Sequence, residues 1–119
     1  MQAPQGRLAE RIARAGEGNV FTSVIVAAEL RFGALRKRSE RLASELDGIL
    51  NQLEAKPLEA SAALHYGRLR AALERAGTPI SANDMLLAAH ALSLDATLVT
   101  DNEREFARVE DLRLENWLR

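Results

Sequence analysis

Glu29, Asp84 and Asp101 are the residues of this chain best suited to chemistry, three carboxylates each set beside an apolar run. Carboxylates gathered in one place hold a hard divalent cation such as Mg²⁺, which takes oxygen ligands and keeps several waters. A cation held this way lowers the pKa of water and stabilises charge on a phosphate during in-line attack. Other catalytic sets are ruled out. The chain has no cysteine, so it has no thiol nucleophile, no disulfide framework and no Cys-bound zinc. Its histidines, His65 and His90, lack metal-ligand spacing and read as partly buried helix residues. No nucleophile elbow occurs, and Gly16 and Gly18 flank an acid and do not form a phosphate-cradling loop.

Each acid also has a plainer reading. Asp84 stands three residues after Ser81, a helix-start pattern in which the dipole favours an acid. Glu29 interrupts an apolar run between Ile25 and Phe32, where an unpaired buried carboxylate is costly. It therefore faces a cleft or a cation, or it pairs with Arg31 or Arg36. Asp101 fits a turn at Asp101-Asn102, with Glu105 before Phe106 as the substitute acid. Thr100 either binds through water or only packs. Arg31, Arg36, Lys37, Arg38 and Arg41 follow Glu29 as a basic cluster. They read as a phosphate-contacting rim, or as a solvated helix face with Glu40 and Glu45 in pairing range.

These groups need elements to position them. Residues 7–15 read as a short helix closed by Gly16 and Gly18, and Asn19 to Thr22 as a short strand. Ser23 caps a helix running to about Lys37, with Ile25, Ala28, Phe32 and Leu35 at helical spacing. Glu40 to Leu53 form a second helix, broken by Lys56 and Pro57, and Glu54 to Leu58 read as a brief edge strand, where Pro57 is tolerated. Ser61 to Ala76 form a third, with Leu64, Leu69, Ala72 and Leu73 inward and Gly77 as a left-handed cap. Ser81 to Leu92 form the next helix, Thr97 to Thr100 a buried strand, and Leu112 to Trp117 a last strand. Helices interleaved with short apolar strands predict an α/β fold, with a mostly parallel sheet and helices on both faces. Asp101 directly follows a strand, and sites in such sheets form beyond the carboxyl ends of strands.

Composition sets the bounds. A chain of 119 residues is one domain of ordinary size, and 47% hydrophobic residues suffice for a core. Only 4% are aromatic, so Ala, Leu, Val and Ile must build that core. A net charge of −1 excludes attachment to nucleic acid by bulk charge alone. The longest uncharged apolar stretch, Met85 to Leu94, is too short to span a bilayer, and the first residues have no apolar signal core. A cytoplasmic protein without membrane contact is expected.

Five ordered blocks carry a resemblance. They are Thr22-Ser23-Val24-Ile25-Val26-Ala27-Ala28-Glu29-Leu30 with Arg31-Phe32-Gly33; Leu64 to Arg70; Gly77-Thr78-Pro79-Ile80-Ser81-Ala82-Asn83-Asp84; Met85 to Leu92; and Ala96-Thr97-Leu98-Val99-Thr100-Asp101-Asn102 through Glu105-Phe106. Together, over about residues 6–119, the chain resembles the PIN-domain ribonucleases, specifically the VapC and FitB-like toxins of type II toxin–antitoxin modules. The resemblance implies a single PIN-like, three-layer α/β domain over 1–119. It implies Mg²⁺ or Mn²⁺ bound by Glu29, Asp84 and Asp101, with Thr100 and Glu105 as auxiliaries and an activated water as nucleophile. Arg31, Arg36, Lys37 and Arg38 would contact RNA. Structured RNA, often tRNA, is the implied substrate, with a small cognate antitoxin and a second copy of the chain as partners.

The family opens with a strand ending in an Asp, usually within Leu-Asp-Thr-Asn. No such segment occurs here, and the chain enters at what resembles the family's second helix. Roughly one βα unit, on the order of 20 residues, is absent from the pattern. The expectation is an N-terminally truncated PIN-like domain that lacks one metal ligand and has weak or no activity. The alternative is an inactive remnant that binds an antitoxin or dimerises, and a third reading is an all-helical scaffold with decorative acids.

Overall fold

The computed structural model describes residues 4–117; Met1 to Ala3, Leu118 and Arg119, the ends of the 1–119 domain expected from the sequence, lie outside them. The elements run α1 (Pro4–Ala15), a 3-10 turn (Glu17–Asn19), β1 (Phe21–Ser23), α2 (Val24–Lys37), α3 (Glu40–Gln52), β2 (Glu54–Lys56), α4 (Ser61–Ala76), α5 (Ala82–Ser93), β3 (Leu98–Val99), α6 (Glu103–Phe106) and β4 (Leu114–Glu115). The fold is α/β, and both strand pairings are parallel. The all-helical reading is thereby excluded. Parallel neighbours need a crossover, supplied by α2 and α3 between β1 and β2 and by residues 100–113 between β3 and β4. No described helix is long and apolar enough to cross a membrane.

The residues fall into two compact units. In residues 9–58, β1 pairs with β2 in the register Phe21–Glu54, Thr22–Ala55, Ser23–Lys56. β2 stops at Lys56, before Pro57, shorter than the strand to Leu58 expected from the sequence. Ser23 caps α2, its Oγ accepting from the Ile25 N–H at 3.0 Å. Ser39 caps α3 in the same way, accepting from the Leu42 N–H. Buried side chains here include Ile12, Ala34 and Leu46. The helical spacing of Phe32 and Leu35 did not predict burial, because they are 63% and 75% exposed. A helix as apolar on all sides as α2 does not announce its inner face, and here the small Ala34 turns inward.

The unit of residues 59–117 holds the larger core. Leu69 and Leu73 of α4 pack with Met85, Ala88 and Ala89 of α5, with Ile80, and with Phe106 and Val109. Leu64 and Ala72, expected inward, are exposed, and Ala62 is buried in their place. The inward stripe of α4 follows Ala62, Leu69 and Leu73. Gly77 takes the left-handed conformation at φ +70°, and its N–H and that of Thr78 close α4 onto Glu74 and Leu73 carbonyls. β3 pairs with β4, Leu98 opposite Leu114 and Val99 opposite Glu115. The single turn α6 was not predicted. Phe106, 2% exposed, anchors it in the core.

Truncating Leu73 to Ala empties part of this core. The L73A chain is expected to lose about 2–5 kcal/mol of stability in urea unfolding. Arg75→Ala, on the exposed side of the same helix, should stay within about 0.5 kcal/mol.

Candidate active site

The N-terminus of α5 is built by Thr78-Pro79-Ile80-Ser81. Buried Ile80 fixes the approach, and Ser81 caps the helix from extended backbone. Its Oγ accepts from the Asp84 N–H at 3.2 Å, and its carbonyl accepts from the Met85 N–H at 2.9 Å. Asp84 therefore sits in the first turn, half-buried, where exposed peptide N–H groups favour negative charge. Buried Met85 next to it turns into the core and sets how the turn faces.

At the carboxyl end of β3 the chain bends sharply. The Thr100 N–H donates to the Glu115 carbonyl at 2.9 Å, the last rung of the sheet. The Asn102 N–H then donates to Thr100 Oγ1 at 3.0 Å, so Thr100 shapes the bend with its hydroxyl. Asp101, between them, is exposed, and its Oδ1 accepts from Asn116 Nδ2 at 3.1 Å.

Glu105 joins these two segments. Its Oε1 accepts from the Ser81 N–H at 3.2 Å, and its Oε2 accepts from Asn102 Nδ2 at 2.7 Å. Its carboxyl also shares a hydrogen bond with that of Asp84, which is the largest cause holding Glu105 below the ordinary glutamate range. The Asn102 amide, the Ser81 N–H and nearby Arg108 act in the same direction, against a partial burial that raises it. Two carboxyls brought this close form a position that a cation can bridge. The two carboxyls offer oxygen atoms, the ligands a hard divalent ion takes. Within this unit's described residues, no three acidic or histidine side chains are already gathered as a metal cluster.

The other predicted residues are carried by other elements. Glu29 is on α2, in the unit of residues 9–58, and is exposed; the apolar run around it did not bury it. Its neighbour Leu30 is exposed too. Arg31 forms an ion pair with Asp47 of α3, Arg36 lies over the Phe32 ring at 5.8 Å, and Arg41 pairs with Glu45 at 3.1 Å. These pairings follow the solvated-face reading of the cluster. Lys37 and Arg38 are exposed, and Arg38 closes α2 in the left-handed conformation. His65 is half-buried, while His90 is fully buried and not partly so. The sequence reading missed Asn116 and Asn102, whose roles depend on strand register and on a bend that no local pattern announced.

The sequence profile of the PIN domain matches residues 4–112. The chain belongs to the PIN-domain family. Among the relatives of this PIN domain, the ribonuclease VapC2 of Rickettsia felis is 43% identical over 104 residues, covering 87% of this chain and 78% of the relative. The tRNA(fMet)-specific endonuclease VapC of Shigella flexneri is 36% identical over 102 residues, covering 85% and 77%. In structure, the PIN domain is similar to a chain of DNA-bound VapBC from Salmonella typhimurium, with a TM-score of 0.84 at 35% identity, covering 93% of this chain and 84% of that one.

The carboxylate pair has a measurable signature. Carbon-13 NMR titration of Glu105 should give a midpoint below the ordinary glutamate value of 4.5, rising toward it in Asp84→Ala, which removes the hydrogen-bonding group. Because the folded value is the lower one, ionised Glu105 stabilises the fold above the ordinary range. That contribution is lost as pH falls through the lowered value. A midpoint unmoved by Asp84→Ala would show that the two carboxyls do not interact.

Proposed function

We propose that this chain works as one PIN domain, a divalent-metal-dependent endoribonuclease and the toxin of a toxin–antitoxin pair. The observation that carries the reading is the Asp84–Glu105 carboxyl pair, joined through Asn102 to the bend that bears Asp101. In a chain of this family, an all-oxygen site between a helix start and a strand end suits phosphodiester hydrolysis. The names of the Rickettsia felis and Shigella flexneri relatives support ribonuclease action. The second name supports tRNA as the substrate class.

Asp84 and Asp101 would hold Mg²⁺ or Mn²⁺, and family resemblance alone adds Glu29 of α2 as a metal ligand. Bound there, the ion supplies positive charge to the scissile phosphate and acidity to water. Glu105 holds the Ser81 N–H and the Asn102 amide, and so keeps Asp84 aimed while sharing its negative charge. Thr100 maintains the bend that presents Asp101. Lys37 and Arg38, exposed at the end of α2, would contact an RNA backbone. Arg31 and Arg36 would first have to leave Asp47 and Phe32.

The partners proposed are a small cognate antitoxin and a second copy of the chain, in the cytoplasm. Support comes from the DNA-bound VapBC relative and from apolar side chains left open to solvent, Phe32 and Leu35 of α2 foremost. The same exposed residues favour a second reading, a catalytically inactive PIN domain that acts only by binding its antitoxin or dimerising.

Incubating a tRNA pool with the chain separates the two. The endonuclease reading expects discrete cleavage with Mn²⁺, none with EDTA, and a fall below about one-hundredth of the parent rate in Asp84→Asn. Cleavage unchanged in Asp84→Asn would sink the site assignment. No cleavage by a folded sample would leave the binding module.

A further inference from the structure

The last strand does more than pair. β4 runs parallel to β3 in a register that ends with Val99 opposite Glu115. The next residue on each chain is therefore Thr100 on one and Asn116 on the other, at the same carboxyl edge. There Asn116 donates its Nδ2–H to Asp101 Oδ1 at 3.1 Å. Its backbone is held on both sides. The Glu115 carbonyl accepts from the Thr100 N–H at 2.9 Å, and Trp117 is buried with its Nε1–H on Glu115 Oε1 at 3.1 Å. Asn116 also lies beyond residues 4–112, the span matched to the family.

We propose that Asn116 is a positioning residue that fixes the Asp101 carboxylate for cation binding. This rests on the reading of Asp101 as a metal ligand. Asp101 is exposed, and an exposed aspartate otherwise samples several side-chain rotamers. One amide donor on Oδ1 selects among them and leaves Oδ2 open. The choice of an amide matters. Arg or Lys at this position would also hold Asp101, but would cancel the charge that attracts the cation. Asn orients the carboxylate and leaves its charge in place. Second-layer donors of this kind support the geometry and affinity of a metal ligand.

The test is Mn²⁺ binding by the full chain, followed by electron paramagnetic resonance of free Mn²⁺. Parent, Asn116→Ala and Asn116→Leu are compared, with thermal unfolding of each as the structural control. Asn116→Leu keeps the branched shape of the side chain and removes the donor without adding charge. The expected result is binding weaker by about 10- to 100-fold in both variants, with melting close to that of the parent. Equal binding in all three chains overturns the proposal, as does a loss confined to Asn116→Ala and matched by a fall in its melting temperature. If the parent binds no Mn²⁺, the metal reading itself fails. The positioning claim is then decided by the Asn116 side-chain amide resonances. They must move when Asp101 is changed to Ala for the claim to stand, and unmoved resonances overturn it.

Discussion

Two carboxyls within hydrogen-bonding reach cannot both stay ionised unless something positive lies between them. Asp84 and Glu105 are in that position, and the shared hydrogen bond is the largest influence on Glu105. The surrounding structure makes the arrangement tolerable without neutralising it. Glu105 takes donors from the Ser81 backbone and the Asn102 side chain, and Asp84 sits in the first turn of α5, where the helix favours negative charge. Arg108 lies near Glu105 and adds to the dipoles that favour its ionised form.

That arrangement depends on packing one layer deeper. Ile80 and Met85 seat the start of α5 in the core, and Phe106 seats the short α6 turn that carries Glu105. Leu98 and Leu114 pack against the same core, so the strand pair that presents Asp101 and Asn116 shares its support. An apolar substitution here thus acts on the site through the spacing of α5, α6 and β3. The Arg113 side chain adds a brace from outside, donating to the Asp95 carboxylate and carbonyl and to Thr97 Oγ1 just before β3.

Much of this was legible in the sequence, and the parts that were not share a cause. Capping by Ser23 and Ser81, the left-handed turn at Gly77 and the placement of Asp101 after a strand are local patterns, and they appear as read. Asp84 at a helix start was visible as well, but its partner was not. Glu105 stood only as a substitute for Asp101, because nothing local says that a residue 21 positions further on returns to the start of α5. Asn116 was invisible for the same reason, since its contact follows from parallel register. The α2 helix misled in another way. Its residues are apolar on every side, so periodicity could not separate the buried Ala34 from the exposed Phe32 and Leu35. Glu29 was read as facing a cleft or a cation, or as paired with a nearby arginine, because its neighbours were expected to be buried; Glu29 and Leu30 are both exposed.

The central claim is that Asp84, Glu105 and Asp101 form the cation-binding edge of this PIN domain. Paramagnetic broadening of the chain's NMR resonances by substoichiometric Mn²⁺ reads it directly. The account predicts loss of signal first at residues 81–84 and 100–105, with Asn116 following and the core helix α4 unaffected. Broadening spread over the exposed acids of α3 and α4, with the 81–84 and 100–105 segments intact, would contradict it.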